Sequence, residues 1–161
     1  MSIVNRLKQY LDENKIKYTW MVHSKAYTAQ EVAQTMHVPG KELAKTIVVK
    51  ADEEFMMAVL PAPYHVDLTR LKKAIGARHL ELASEAEFTS LFPECEIGAM
   101  PPFGNLYLLP VYVSEQLTKD KEIVFNAGTH TDAIRMKYDN FAELVRPKVA
   151  DFAKRIEHRA A

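Results

Sequence analysis

Two apolar runs separated by three residues constrain this chain most: Lys45 to Lys50 (KTIVVK) and Glu54 to Leu60 (EFMMAVL), joined by Ala51-Asp52-Glu53. A half-exposed strand alternates apolar and polar side chains. These runs are apolar on both faces, so they predict a central hairpin covered from both sides. The remaining segments must therefore supply two covering layers.

The period of the apolar residues says which segments do so. Ile3, Val4, Leu7 and Leu11 recur at helical spacing, and Tyr18, Trp20 and Val22 alternate as a strand over Lys17 to His23. Thr28-Ala-Gln-Glu31 is a capping box opening a helix with Val32 and Met36, which Val38-Pro39-Gly40 ends. Asp67 caps a helix carrying Leu68, Leu71 and Ile75 and stopped by Gly76; a short strand follows at His79 to Leu82. Ser84-Glu-Ala-Glu87 opens another helix, with Phe88 and Leu91, that Pro93 terminates. Gly98 to Gly104 (GAMPPFG) reads as a loop. Leu106 to Val113, Glu122 to Asn126 and Ala133 to Lys137 are expected as strands, and one or two helices from Asp139 onward, broken near Arg146-Pro147. Helices and strands mix without βαβ alternation, which makes the chain α+β (mixed α/β) with a mixed sheet, and residues 1–161 are expected to form one domain.

Several function classes fall away. Lys plus Arg and Asp plus Glu are 21 each, and zero net charge argues against extended duplex or DNA binding. It still allows a grip on one single-stranded end, which needs only a few cations in one place. The opening MSIVNRLKQYLDENK has no long apolar run and does not read as a signal peptide, and no stretch reaches bilayer length. Cys95 is the only cysteine, which fits a reducing compartment, and a cytoplasmic location is expected. There is no GxxxxGK[ST] or GxGxxG loop, and the six histidines are scattered without ligand spacing, so no metal site is expected. Glu94 and Glu96 flank Cys95 and would blunt a thiolate, so it reads as a passive thiol.

Three features remain that could carry chemistry. Lys45 alternates with Ile47 and Val49 on an apolar face, where it is either a snorkelling sheet-edge lysine, the reading that spacing alone favours, or a cation projecting into a cavity. In Gly98 to Gly104 two glycines permit unusual backbone or close approach, two prolines stiffen the loop, and Ala99 and Met100 keep N–H groups that could hold an oxyanion; a stiff connection is the equal alternative. His130, in the turn Gly128-Thr129-His130-Thr131, could orient a water or shuttle a proton, or could merely be exposed, and His23 shares that ambiguity.

Taken in order, His23-Ser24 with TAQEVA (28–33), VPG with AKTIVVK (38–50), MAVLPA (57–62), GAMPPFG (98–104) and NAGTHTDAIRM (126–136) resemble the YbaK/EbsC family, related to the editing insertion of bacterial prolyl-tRNA synthetases. The resemblance implies a mixed, largely antiparallel curved sheet surrounded by helices, and a trans-editing hydrolase acting on the ester of mischarged aminoacyl-tRNA without metal or organic cofactor. It puts Lys45, Gly98 and His130 in catalytic roles. It puts His23, Thr28, Thr46, Ala99, Met100, Pro101, Pro102, Phe103, Gly104 and Gly128 on the substrate. The implied partner is the 3′ acceptor end of aminoacyl-tRNA, with an aminoacyl-tRNA synthetase as a second candidate and no membrane. Family members clear alanine, cysteine, serine or threonine; crowding by Met100 and Phe103 leans the expectation to alanine on proline tRNA. The basic C-terminal residues Arg146, Lys148, Lys154, Arg155 and Arg159, interspersed with Glu143, Asp151 and Glu157, read as a solvated helix face rather than an acceptor-stem contact. A non-catalytic module binding a small ligand or the tRNA 3′ end on the same fold is the alternative, and a hydrolase of other small esters a further one.

Overall fold

The computed structural model describes residues 2–26 and 28–156. In chain order the elements are α1 (Ile3–Glu13), β1 (Tyr18–Val22), α2 (Ala29–Thr35), β2 (Ala44–Ala51), β3 (Glu54–Pro61), β4 (Tyr64–Val66), α3 (Leu68–Ile75), β5 (Leu80–Leu82), α4 (Glu85–Leu91), β6 (Val111–Ser114), β7 (Glu122–Asn126), β8 (Asp132–Lys137), α5 (Tyr138–Val145), β9 (Lys148–Ala150) and β10 (Ala153–Arg155). The α+β class expected from the pattern is the one observed.

The β2–β3 hairpin is the centre of a five-stranded sheet ordered β5-β2-β3-β6-β9, with β3–β6 and β6–β9 parallel and the other pairs antiparallel. It is covered on both faces, as the apolar runs require. Ala44, Val48, Met57 and Val59 join a core with Leu7, Leu11, Phe103, Phe125 and Phe141; Val49, Ala58 and Leu60 pack on the other side with Leu71, Tyr112 and Phe152. A second sheet, β1-β8-β7, is antiparallel throughout and touches the first through a bridge between Leu43 and Val124. Helix α2 closes its outer side, where Val32, Ala33, Val38, Leu43, Val124 and Ala133 form a third core. The short pair β4–β10 completes the strands. Among the described residues no helix is long and apolar enough to cross a membrane.

The helix signals act as local chemistry predicts. Thr28 Oγ1 accepts from Glu31 N at 3.1 Å, Asp67 accepts from Arg70 N, Gly76 adopts φ +78° after α3, and both halves of the Ser84–Glu87 box are made.

Three expectations need correction. Residues 106–110 are not strand: Gly104–Leu106 is a 3-10 turn, and the Gly104 carbonyl accepts from both Tyr107 N and Leu109 N, so these groups are spent locally. Leu108 takes φ +60° with 93% of its surface exposed, and the strand starts only after Pro110. At the C-terminal end the first of the one or two expected helices forms and breaks at Arg146 as expected, but no second helix follows among the described residues. The helix stops where Arg146 adopts φ +52°, and residues 148–155 extend as β9 and β10 because β6 and β4 offer open edges to them. Lys148, Lys154 and Arg155 therefore lie on strands rather than a helix face, while Glu157 and Arg159 fall outside the described residues. Finally, Trp20 and Val22 stay exposed on β1, and Met21 is the half-buried residue that packs against the third core.

Candidate active site

Lys45 is the second residue of β2, opposite Leu60 and on the face of Ile47 and Val49. Its stem is half-buried and its Nζ donates to the Ala62 carbonyl at 3.2 Å. It has no carboxylate partner in the ion pairs of the described residues. Burial pushes its ammonium below the ordinary lysine pKa. Thr46 points to the opposite face, with Ala44 and Val48, and its Oγ1 is buried without a hydrogen-bond partner.

These residues floor a cavity of about 260 Å³. Leu43 to Ile47 form one side, Phe88 of α4 and the loop residues Gly98 and Met100 another, and Asn126 at the end of β7 closes it. Asn126 was not singled out from the sequence; the signal available was a polar residue ending the apolar strand EIVFN. Its Oδ1, like Thr46 Oγ1, is buried and unpartnered. Leaving a buried polar atom unpaired costs roughly 1–3 kcal/mol, and two such atoms belong to residues of this one cavity.

The 98–104 loop divides into two parts. Gly98 is exposed at φ +83° and lines the cavity with Met100. Gly98 N and Met100 N make no backbone hydrogen bond among the described residues. Ala99 differs from the expectation. Its N–H is engaged by the Glu96 carbonyl at 3.0 Å and its carbonyl accepts from Gly128 N at 2.8 Å, so it ties the loop to the 126–131 turn and offers no donor. Pro101, Pro102, Phe103 and Gly104 are buried and do not line the cavity. Phe103 lies 5.5 Å, ring to ring, from both Phe125 and Phe141, and a Cβ on Gly104 would come within 2.5 Å of the Leu109 carbonyl.

The remaining predicted residues do not line this cavity. His130 is only 6% exposed; its N–H donates to Glu96 Oε1 at 3.2 Å and its carbonyl accepts from Ala26 N. Gly128, at φ +103°, has no room for a side chain because a Cβ would collide with Ile3. Thr129 Oγ1 holds the turn by accepting from Asp132 N and donating to Asp132 Oδ2. His23 borders a separate open depression with Met21, Ser24 and Met36, its Nδ1 2.7 Å from the Ser24 carbonyl. Thr28 is a helix cap. Replacing it with alanine is expected to cost about 0.5–2 kcal/mol of stability, measured by thermal denaturation, with the folded fraction's turnover unchanged; a loss of turnover without a loss of stability would place Thr28 on the substrate instead. Cys95 is half-buried beside the Tyr107 hydroxyl, and burial first, then Glu94, push its thiol up against the opposing pull of Tyr107 and Arg6, consistent with a passive thiol. Among the described residues no three His, Cys, Asp or Glu side chains converge as a metal site.

The chain is 26% identical over 155 residues to the Multifunctional Ser/Thr-tRNA deacylase ProXp-y of Escherichia coli (strain K12), covering 92% of each chain. A stretch of 75 residues, 47% of this chain and 13% of the relative, is 33% identical to a Proline--tRNA ligase of Bacillus cytotoxicus. Among solved structures, one with a proposed trans-editing role for prolyl tRNA synthetase shares the fold at TM-score 0.82 and 22% identity, covering 96% of this chain and 98% of that one. The model of the aminoacyl-tRNA editing domain matches residues 23–144. The chain therefore belongs to the aminoacyl-tRNA editing domain family.

Proposed function

We propose that this protein, as a single domain, is an aminoacyl-tRNA deacylase whose 260 Å³ cavity takes a small amino acid esterified to the terminal ribose of tRNA. The observation that carries the reading is the meeting of Lys45, Thr46, Gly98, Met100 and Asn126 around that one cavity. Such an ester is already activated, so water can attack its carbonyl without a covalent enzyme nucleophile. The Lys45 ammonium, desolvated and without a carboxylate, binds the terminal phosphate or polarises the ester. The N–H groups of Gly98 and Met100 face the developing oxyanion, where loss of one donor costs ~10²–10³ in rate. The products are the free amino acid and the uncharged tRNA. His130, Gly128 and Ala99 act through the turn that holds the loop in place.

The polar pair moves the preferred side chain from alanine to serine. A purely apolar pocket could not distinguish the two strongly, whereas Thr46 Oγ1 and Asn126 Oδ1 are unpaired until a hydroxyl or ammonium reaches them. The Ser/Thr preference in the name of the E. coli relative points the same way. The test is deacylation of Ala-, Cys-, Ser- and Thr-charged tRNAs, on proline tRNA and on cognate tRNAs, by wild type and Thr46→Val. Wild type is expected to clear the hydroxyl-bearing amino acids fastest, and Thr46→Val to lose about tenfold on them, the worth of one buried hydrogen bond, but little on alanine. Equal losses on all four would remove Thr46 from side-chain selection. No hydrolysis of any charged tRNA by folded protein would favour the non-catalytic binding module.

A further inference from the structure

A second cluster, away from the cavity, has the chemistry of an RNA backbone site. The protein carries no net charge, yet a shallow groove of about 650 Å³ between α1 and one end of the β1–β8–β7 sheet gathers Lys8, Lys17, Arg135 and Lys137 against only Asp12 and Glu122. None of these four cations takes part in the ion pairs found among the described residues. Asp12 is engaged by the Tyr18 hydroxyl at 3.0 Å. Arg135 brings a guanidinium, whose N–H fork suits phosphate oxygens, and its Nε is buried with no hydrogen-bond partner. At the rim, Trp20 is 44% exposed and held in place by its Nε1 bond to Asp132 Oδ1 at 2.8 Å, with Lys8 Nζ 3.8 Å from the ring centroid.

The groove also lies within reach of the cavity. Lys137 pairs with Glu122 and Arg135 with Val124, and cross-strand partners share a face, so Arg135 and Lys137 stand on the same face of the sheet as Asn126, while Trp20, paired with Ile134, and Lys8 over its ring border the groove from the opposite face. Glu122 and Asn126 are four residues apart on β7, roughly 13 Å at strand rise, a span a few nucleotides cover. We propose that this groove binds the phosphate backbone of the tRNA whose charged end enters the cavity, so that Lys8, Lys17, Arg135 and Lys137 position the substrate. The proposal rests on the deacylase reading for its orientation but predicts RNA binding independently of hydrolysis.

The experiment uses the double variant Lys17→Ala/Lys137→Ala, neither residue lining the cavity. Affinity for uncharged tRNA is measured across a salt series, and kcat/KM is compared on full-length charged tRNA and on a charged CCA trinucleotide. Each phosphate contact contributes about 0.7–0.9 to the slope of log K against log salt, so the variant's slope is expected to flatten by about 1.5. Its kcat/KM on full-length tRNA is expected to fall about tenfold through KM, with the trinucleotide unaffected. Wild-type affinity and slope in the variant would overturn the proposal, as would an equal loss on the trinucleotide. If wild type hydrolyses nothing while the variant still loses tRNA affinity, the groove stands and the deacylase reading falls. If the variant binds tRNA normally but loses binding to an acidic protein, the groove is a protein-docking surface and the proposal fails.

Discussion

Replacing Lys45 with methionine is expected to lower kcat/KM for aminoacyl-tRNA cleavage by about 10²-fold, the worth of a charge-assisted contact of roughly 1.5–3 kcal/mol, without destabilising the fold. Methionine keeps most of the stem that packs beside Ile47 and Val49, and removes the ammonium together with its hydrogen bond to the Ala62 carbonyl. That ammonium is a burden on the folded state: burial alone shifts its pKa, and the shift is downward. A lysine whose pKa is depressed on folding costs stability while it is charged, and the cost fades as pH rises through the folded value toward the unfolded one. At neutral pH Lys45→Met should therefore melt at or above the wild-type temperature. The two readouts oppose each other, which a merely structural lysine could not produce. Wild-type turnover in the variant would take Lys45 out of the reaction. In the wild type, the enzyme-dependent rate should also begin to fall at a pH below that of an ordinary lysine, once spontaneous ester hydrolysis is subtracted.

Phe103→Ala tests the loop from beneath. The ring is fully buried between Phe125, Phe141 and Tyr10, so truncation leaves a cavity in the largest core and is expected to cost about 3–5 kcal/mol. For a domain of this size that corresponds to a fall of about 10 °C or more in Tm. The folded fraction should keep its amino-acid selectivity, because Phe103 does not line the cavity. A variant that melts like wild type and clears different amino acids would return Phe103 to the substrate pocket, where the family resemblance had placed it.

The contrast between Lys45 and Phe103 explains which parts of the site were legible. Strand alternation put Lys45 on the face of Ile47 and Val49, and the resemblance marked it, Thr46, Gly98 and Met100; the structure brings these four together. The same resemblance marked Ala99, Pro101, Pro102, Phe103 and Gly104 as one stretch. Within that stretch the chain dives from the surface into the core, and which residues face outward depends on Phe125, Phe141, Val111 and Gly128 meeting it from elsewhere. Asn126 was missed for the same reason: it becomes a cavity residue only because Leu43 and Val124 bridge the two sheets.

What this sequence determined by itself was everything carried by neighbours along the chain. The two-sided apolar hairpin, the caps at Thr28, Asp67 and Ser84, and the stop at Gly76 depend on groups within a few residues of one another. Tertiary structure decided the rest. Residues 148–155 became strands because distant β6 and β4 had unpaired edges, against a local pattern that reads as helix. The cavity walls, the unpaired Thr46 and Asn126 oxygens and the gathering of Lys8, Lys17, Arg135 and Lys137 arise where segments remote in sequence pack together. Local hydrogen bonds and periodicity are written in adjacent residues, whereas burial and charge clustering are properties of a surface that exists only once the sheets have met.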